Sequence, residues 1–236
     1  MKIELNKIDV SDSLQFKNSI IVELLRTGDT WKIDVPPIVD ETGGIQQLRT
    51  ADDPVGRYTE ILNDALGIYG YKYAWRTVKN RFICAASTPL NRSVILPCTS
   101  DISDIFTEYG IHRKGWAGDH YRYRGFGTIE KGALLSWCIE NSHYLADGVT
   151  EIGVHTEEDH RQKGYAASNV ATLCDCLLKN GVTTIYYECA LDNTASFRTA
   201  QKANLEYAGE VTYLCFENKL TEFFYLTEDC QCFFRL

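Results

Sequence analysis

The chain has 236 residues, 44% of them hydrophobic and 24% charged, which fits an ordinary globular protein with a real core and excludes extended disorder. A formal net charge of −8 argues against a nucleic-acid partner, which needs clustered Lys and Arg, and fits a cationic small molecule or peptide better. The nine cysteines and five histidines show no metal-ligand spacing, so no metal and no disulfide are expected and the thiols are read as reduced and mostly buried.

The N-terminus, Met1-Lys2-Ile3-Glu4-Leu5-Asn6, is interrupted by charge and lacks the apolar core of a signal peptide. The longest apolar cluster, Ile20 to Leu25, is too short to span a bilayer. A cytoplasmic protein without a membrane partner is expected. Ser13 to Arg26 reads as a helix with Leu14, Ile20, Ile21, Leu24 and Leu25 on one face, capped at Ser11, Asp12 or Ser13 and closed by Gly28. Trp31 to Gly44 is turn-rich, with Pro36-Pro37 and Gly43-Gly44. A second helix is expected from about Pro54 to Leu66, where Val55, Tyr58, Ile61, Leu62, Ala65 and Leu66 share one side. Arg92 to Pro97 reads as a short buried strand and Ser100 to Tyr109 as a short helix. Tyr121-Arg122-Tyr123-Arg124 alternates aromatic and basic residues, which suits an exposed strand face better than a nucleic-acid patch.

The second half is more regular. Phe126 to Glu130 and Ala133 to Glu140 are expected strands joined by a turn at Glu130-Lys131-Gly132, and Val149 to Thr156 is a third. A helix begins near Gly164, carries the stripe Ala166, Val170, Leu173, Cys174, Leu177 and Leu178, and ends at Asn180-Gly181. Cys174 and Cys176 lie on that helix, where residues two apart face different ways. Cys230 and Cys232 repeat the spacing near the C-terminus without a matching second pair. Thr183 to Ala190 follows as a strand, Thr194 to about Ala203 as a helix and Glu210 to Phe216 as a last strand. This order implies a mixed α/β sheet, preceded by an N-terminal α+β region.

One segment carries chemistry. The strand Thr150 to Thr156 runs through Glu157-Glu158-Asp159-His160 and Arg161-Gln162-Lys163-Gly164-Tyr165-Ala166 directly into a helix. A helix start has unpaired N–H groups and the positive end of the dipole, so it binds phosphate. Gly164 and Ala166 leave room there, and Arg161 and Lys163 add charge. Glycine spacing alone favours a tightly packed strand-helix turn, and the P-loop motif is absent.

Arg161, Gly164 and Ala166 fit the pattern Gln or Arg, two residues, Gly, one residue, Gly or Ala. After the next strand come Asn193, Ser196 and Lys202-Ala203-Asn204-Leu205-Glu206-Tyr207. This succession, from Phe126 to Phe216, resembles the GNAT superfamily of acetyltransferases. The small Ser196 and the long region before the core look like the antibiotic-resistance, zwittermicin-like type. The resemblance divides the chain into an N-terminal region, 1–105, contributing an acceptor pocket, and an acetyl-CoA-binding domain, 106–236.

The resemblance implies an N-acetyltransferase that moves an acetyl group from acetyl-CoA, its acyl donor, to a primary amine of a small molecule or peptide. Arg161, Gln162, Lys163, Gly164, Tyr165 and Ala166 would hold the pyrophosphate. Val154, His155 and Thr156 would offer backbone groups to the pantetheine, as an added strand would. Asn193 would bond the same arm or simply cap its helix, with Ser196 beside it. Attack needs a neutral amine, whose ordinary pKa is ~10.4, so a base is expected. Glu151 is the first candidate and a solvated strand-end charge the competing role; His155 is the second, with packing as its alternative. The position where many family members carry a general-acid Tyr is Ala200 here. A thiol of pKa ~8.5 leaves tolerably as the anion. Tyr207, Tyr186 or Ser196 could stand in, with core packing the alternative for each tyrosine. Two other functions stay open: a catalytically silent acyl-CoA-binding or sensing module, and a toxin-like acetyltransferase acting on aminoacyl-tRNA.

Overall fold

The computed structural model describes residues 1–7, 19–36, 39, 44–84, 93–95, 125–141 and 148–218. The described residues gather into two compact units, one of Met1 to Asn80 with Gly209 to Asn218, the other of Arg81 to Ala208. The two longest described strands are β4 (Tyr71–Ile83) and β10 (Glu206–Asn218).

In the first unit β1 (Lys2–Lys7) runs parallel to β3 (Thr30–Val35), and β2 (Ser19–Thr27) pairs antiparallel with both β3 and β10. The segment read as a helix from Ser13 to Arg26 is therefore a strand over its described part. Ile20, Ile21, Val22 and Leu24 are all buried there, so both faces are covered. A short continuous apolar run fits a doubly covered strand as well as a helix, and its β-branched Ile20-Ile21-Val22 favours the strand. Gly28 closes no helix; with φ +56 it makes the two-residue turn between β2 and β3. The stretch read as turn-rich opens with β3, where Ile33 and Val35 are buried. Gly209 has φ +132, and a Cβ there would stand 2.0 Å from the Arg26 carbonyl oxygen. Only glycine lets β10 come that close to β2.

Helix α1 (Gly44–Arg49) precedes α2 (Pro54–Gly67), close to the expected Pro54 to Leu66. Asp53 caps α2 by accepting from Gly56 N at 3.0 Å, and Pro54 supplies a first position that needs no donor. The core of this unit packs Val55, Tyr58, Ile61, Leu62 and Leu66 with Ile20, Val22, Leu24, Ile33, Leu214 and Phe216. Tyr58 spends its hydroxyl on the Asp34 carbonyl.

The second unit carries β5 (Val94–Ile95), β6 (Gly125–Glu130), β7 (Ala133–Asn141), β8 (Val149–Thr156) and β9 (Thr184–Ala190). They are neighbours in that order, antiparallel except for the parallel pair β8 and β9. Helix α3 (Tyr165–Lys179) makes the crossover between those two, and α4 (Thr194–Lys202) follows β9. The mixed α/β reading of this half, its element order and its boundaries hold to within a few residues. The β5 segment is shorter than the buried strand expected, and Val94 is exposed. The expected helix at Ser100 to Tyr109, the Tyr121 to Arg124 strand, Cys230 and Cys232 lie outside the described residues. The core unites Ile152, Val170, Leu173, Cys174 and Leu177 with Phe82, Ile185, Tyr187 and Ala200.

Candidate active site

The two ladders of β8 end at different places. Its pairing with β7 runs from Asn141–Glu151 to Ser136–Thr156. Its pairing with β9 runs only from Val149–Thr184 to Ile152–Tyr187, although both strands continue. Past Ile152, β8 keeps one neighbour and parts from the other.

Which backbone groups face the parting follows from the alternation of a strand. Glu157 N–H donates to the Leu135 carbonyl on the β7 side at 2.9 Å, and the His155 carbonyl accepts from Ser136 Oγ at 2.8 Å. Successive residues turn their main-chain groups to opposite edges. His155 therefore faces β7, whereas Val154 and Thr156 present N–H and C=O toward the parting. Of the three residues expected to offer backbone groups here, the geometry favours Val154 and Thr156 and turns the main chain of His155 away.

The side chains of β8 alternate likewise. Ile152 and Val154 face the core beneath α3. Glu151 and His155 share the other face, separated by Gly153, which adds no side chain. His155 lies on Trp137 with ring centroids 4.4 Å apart, and its Nε2 is 3.4 Å from Glu157 Oε1. Glu151 is half-buried opposite Tyr186 on β9. Two residues along β9, Glu188 accepts from Arg81 Nε at 2.7 Å, with both side chains buried. The Arg81 guanidinium also covers the Tyr186 ring at 4.4 Å. This ion pair and its stacked tyrosine escape a sequence reading, because Arg81 and Glu188 stand on distant strands with no shared motif.

Beyond Thr156 the chain makes a 3-10 turn, Glu158–His160, and then exposes Arg161, Gln162, Lys163 and Gly164. Arg161 Nε reaches the Thr156 carbonyl at 3.4 Å, and Lys163 Nζ donates to His160 Nδ1 at 3.2 Å. Gln162 and Gly164 both hold positive φ, +64 and +84. Gly164 is the N-cap of α3 and, having no side chain, makes no capping bond to the first turn. A Cβ at Gly164 would meet nothing within 4 Å. Its glycine is required by backbone conformation, and the open space in front of it suits an approaching anion. Tyr165 is buried and donates its hydroxyl to Glu130 Oε1, pinning the helix start to the β6–β7 turn.

The remaining expected residues lie at α4 and β10. Asn193 caps α4, its Oδ1 accepting from Ser196 N at 3.0 Å. Ser196 Oγ is 2.6 Å from the Tyr187 hydroxyl, whose pKa burial pushes well above the usual tyrosine range. Tyr207 is half-exposed and packs edge-on against Phe82 at 5.2 Å and at a tilt against Phe197 at 5.6 Å. Ala200 is fully buried in the core. Among the described residues no group of three or more His, Cys, Asp or Glu could hold a metal ion, and no helix is long and apolar enough to cross a membrane.

Residues 117–216 match the GNAT acetyltransferase family model. A solved structure described as a GNAT-family acetyltransferase from Novosphingobium aromaticivorans superposes with a TM-score of 0.50 at 19% identity, covering 63% of this chain and 68% of that one. A GCN5-related N-acetyltransferase from Kribbella flavida gives 0.44 at 15% identity, covering 65% and 63%. A GCN5-related N-acetyltransferase-like protein from Streptococcus suis gives 0.43 at 15%, covering 79% and 70%. No curated protein matches the chain.

Proposed function

We propose that the protein transfers an acetyl group from acetyl-CoA to a primary amine of a small molecule or peptide by direct attack, a reading supported by the match of residues 117–216 to the GNAT acetyltransferase family model. The observation that carries this reading is the parting of β8 from β9 after Ile152–Tyr187, which runs on into the start of an α3 without a side-chain cap. An extended pantetheine arm fits along Val154 and Thr156 as an added strand. A pyrophosphate fits the loop Arg161 to Ala166, with Arg161 and Lys163 supplying charge and the first-turn amides supplying donors. A backbone N–H at Val154 or Thr156 holds the thioester oxygen in this reading as it gains charge during attack.

Glu151 is the proposed base. It lies on the sheet face opposite the core and is half-buried, so it can take the amine proton directly or through one water. His155, on the same face and stacked on Trp137, is the second candidate. The thiolate departs as the anion, with Tyr207 as the candidate proton source. Asn193 and Ser196 serve first as cap and as partner of Tyr187; their remaining hydrogen-bonding capacity is what they offer the arm. The acidic balance of the chain favours a cationic acceptor over aminoacyl-tRNA.

One observation favours a second reading. Ala200, where many family members carry an acid, is fully buried, which suits an acyl-CoA-binding module without turnover. Thiol release from acetyl-CoA with a panel of primary amines separates the two. Acetyl-CoA binding with amine-dependent thiol release supports the enzyme; binding without release across the panel supports the module; absence of binding rejects both.

A further inference from the structure

A buried polar chain ties α3 to the parting end of β8. Asn169, fully buried on α3, accepts at Oδ1 from Ser93 Oγ at 2.6 Å and from Thr128 Oγ1 at 3.3 Å. Its Nδ2 donates to Ser136 Oγ at 3.2 Å. Ser136, also fully buried, donates to the His155 carbonyl at 2.8 Å and lies 2.8 Å from Thr156 Oγ1.

The donor directions are settled by counting protons. Ser136 has one hydroxyl hydrogen and gives it to His155, so Thr156 must donate to Ser136. Ser93 gives its hydrogen to Asn169, so Ser168, 3.1 Å from it, must donate to Ser93. Every bond then has one donor, and the run from Ser168 to the His155 carbonyl is directional.

The placement is unusual for packing alone. Beside Asn169 and Ser168, the buried residues of α3 include Val170, Leu173, Cys174 and Leu177. A polar side chain costs free energy there unless fully bonded. What the amide achieves is orientation. It holds the Ser136 hydroxyl, which fixes the peptide after His155 and occupies the Thr156 hydroxyl.

We propose that Asn169 is a positioning residue which, through Ser136, sets the direction of the parting end of β8 and hence where Val154 and Thr156 hold the acyl-bearing arm of the donor. The inference rests on the acetyl-CoA reading above, and the experiment keeps the two apart. Asn169→Asp keeps the acceptor toward Ser93 and Thr128 but removes the donor to Ser136. Ser136→Ala removes the next link with less risk to folding. Thr128→Val is the control, since it cuts a bond to Asn169 without touching the path to β8.

Two ligands are measured by calorimetry: acetyl-CoA, and adenosine 3′-phosphate 5′-diphosphate, which has the nucleotide and no pantetheine. Asn169→Asp and Ser136→Ala should weaken acetyl-CoA by about 10-fold, the size of a lost buried hydrogen bond, while nucleotide affinity changes less than about 2-fold. Without ligand, amide exchange at His155 and Glu157 should quicken by about 10-fold in both variants and stay unchanged in Thr128→Val. Equal losses for both ligands, or no change in either with parental exchange rates, overturns the positioning role and leaves the acetyl-CoA reading intact. A parent protein that binds neither ligand overturns both.

Discussion

Replacing Gly164 by alanine separates the two demands placed on that position. The residue has φ +84, where an L side chain is disfavoured by about 1–2 kcal/mol. Its Cβ would meet nothing within 4 Å, so no clash adds to that cost. Stability should therefore fall by about 1–2 kcal/mol, a melting shift of roughly 2–8 °C for a chain of this size. Binding has a separate origin. The new methyl group would stand in the open space in front of the α3 start, where the proposed pyrophosphate site lies. Losing one charge-assisted hydrogen bond there costs about 1.5–3 kcal/mol, a loss of about 10- to 150-fold in acetyl-CoA affinity. Thermal unfolding reads the first effect, and calorimetry well below the melting point reads the second. A folded Gly164→Ala protein with parental acetyl-CoA affinity would refute the pyrophosphate site, and one with parental melting would refute the conformational argument.

Glu151→Gln should leave acetyl-CoA affinity nearly unchanged and slow single-turnover acetyl transfer by about 10²-fold, the loss shrinking as pH rises and more amine is neutral; full turnover at neutral pH would move the base to His155 or to water. Tyr165→Phe removes the hydroxyl bond to Glu130 and should cost about 1 kcal/mol in denaturant unfolding with unchanged acetyl-CoA affinity, since that hydroxyl is spent within the protein; a large affinity loss would give the hydroxyl a binding role. Arg81→Met strands Glu188 as a buried carboxylate and should destabilise by about 3–5 kcal/mol, with partial recovery in Arg81→Met/Glu188→Gln; an undisturbed single variant would mean the pair is solvated. Burial pushes the Cys215 thiol up to about 11 from an ordinary value near 9. Above pH 9 the unfolded chain ionises first, so stability should fall between pH 9 and about 11, and Cys215→Ala should lessen that slope in urea titrations.

The second half of the chain was legible because each element there carries its own punctuation. Lys131-Gly132 and Asn180-Gly181 mark turns, and the stripe of α3 has one clear period. The first half misled where the local pattern was ambiguous. The Ile20 to Leu25 run is a strand because it pairs with both β3 and β10, and β10 is distant in sequence. Strand β4 alternates poorly, with Lys72, Tyr73, Ala74 and Arg76 exposed and Asn80, Arg81 and Phe82 buried in succession, so neither period stands out. At the site, the phosphate-type loop and the strand before it could be read from residue order. The direction of each backbone group could not, because it depends on the register of β8 against β7. Nor could the Asn169 path, which joins residues from four separate segments.

The pairing of β10 with β2 also bears on how the molecule is made. Arg26 emerges from the ribosome early and waits for Glu210, and Ser19 for Glu217. Until then β2 has an open edge bearing Ile20, Ile21 and Val22, a template for pairing with other nascent chains. A gene trimmed after residue 208 would leave that edge permanently unfilled. The first unit would then lack a strand that is translated long after the one it completes, and the apolar edge of β2 stays open to other chains until that strand is made.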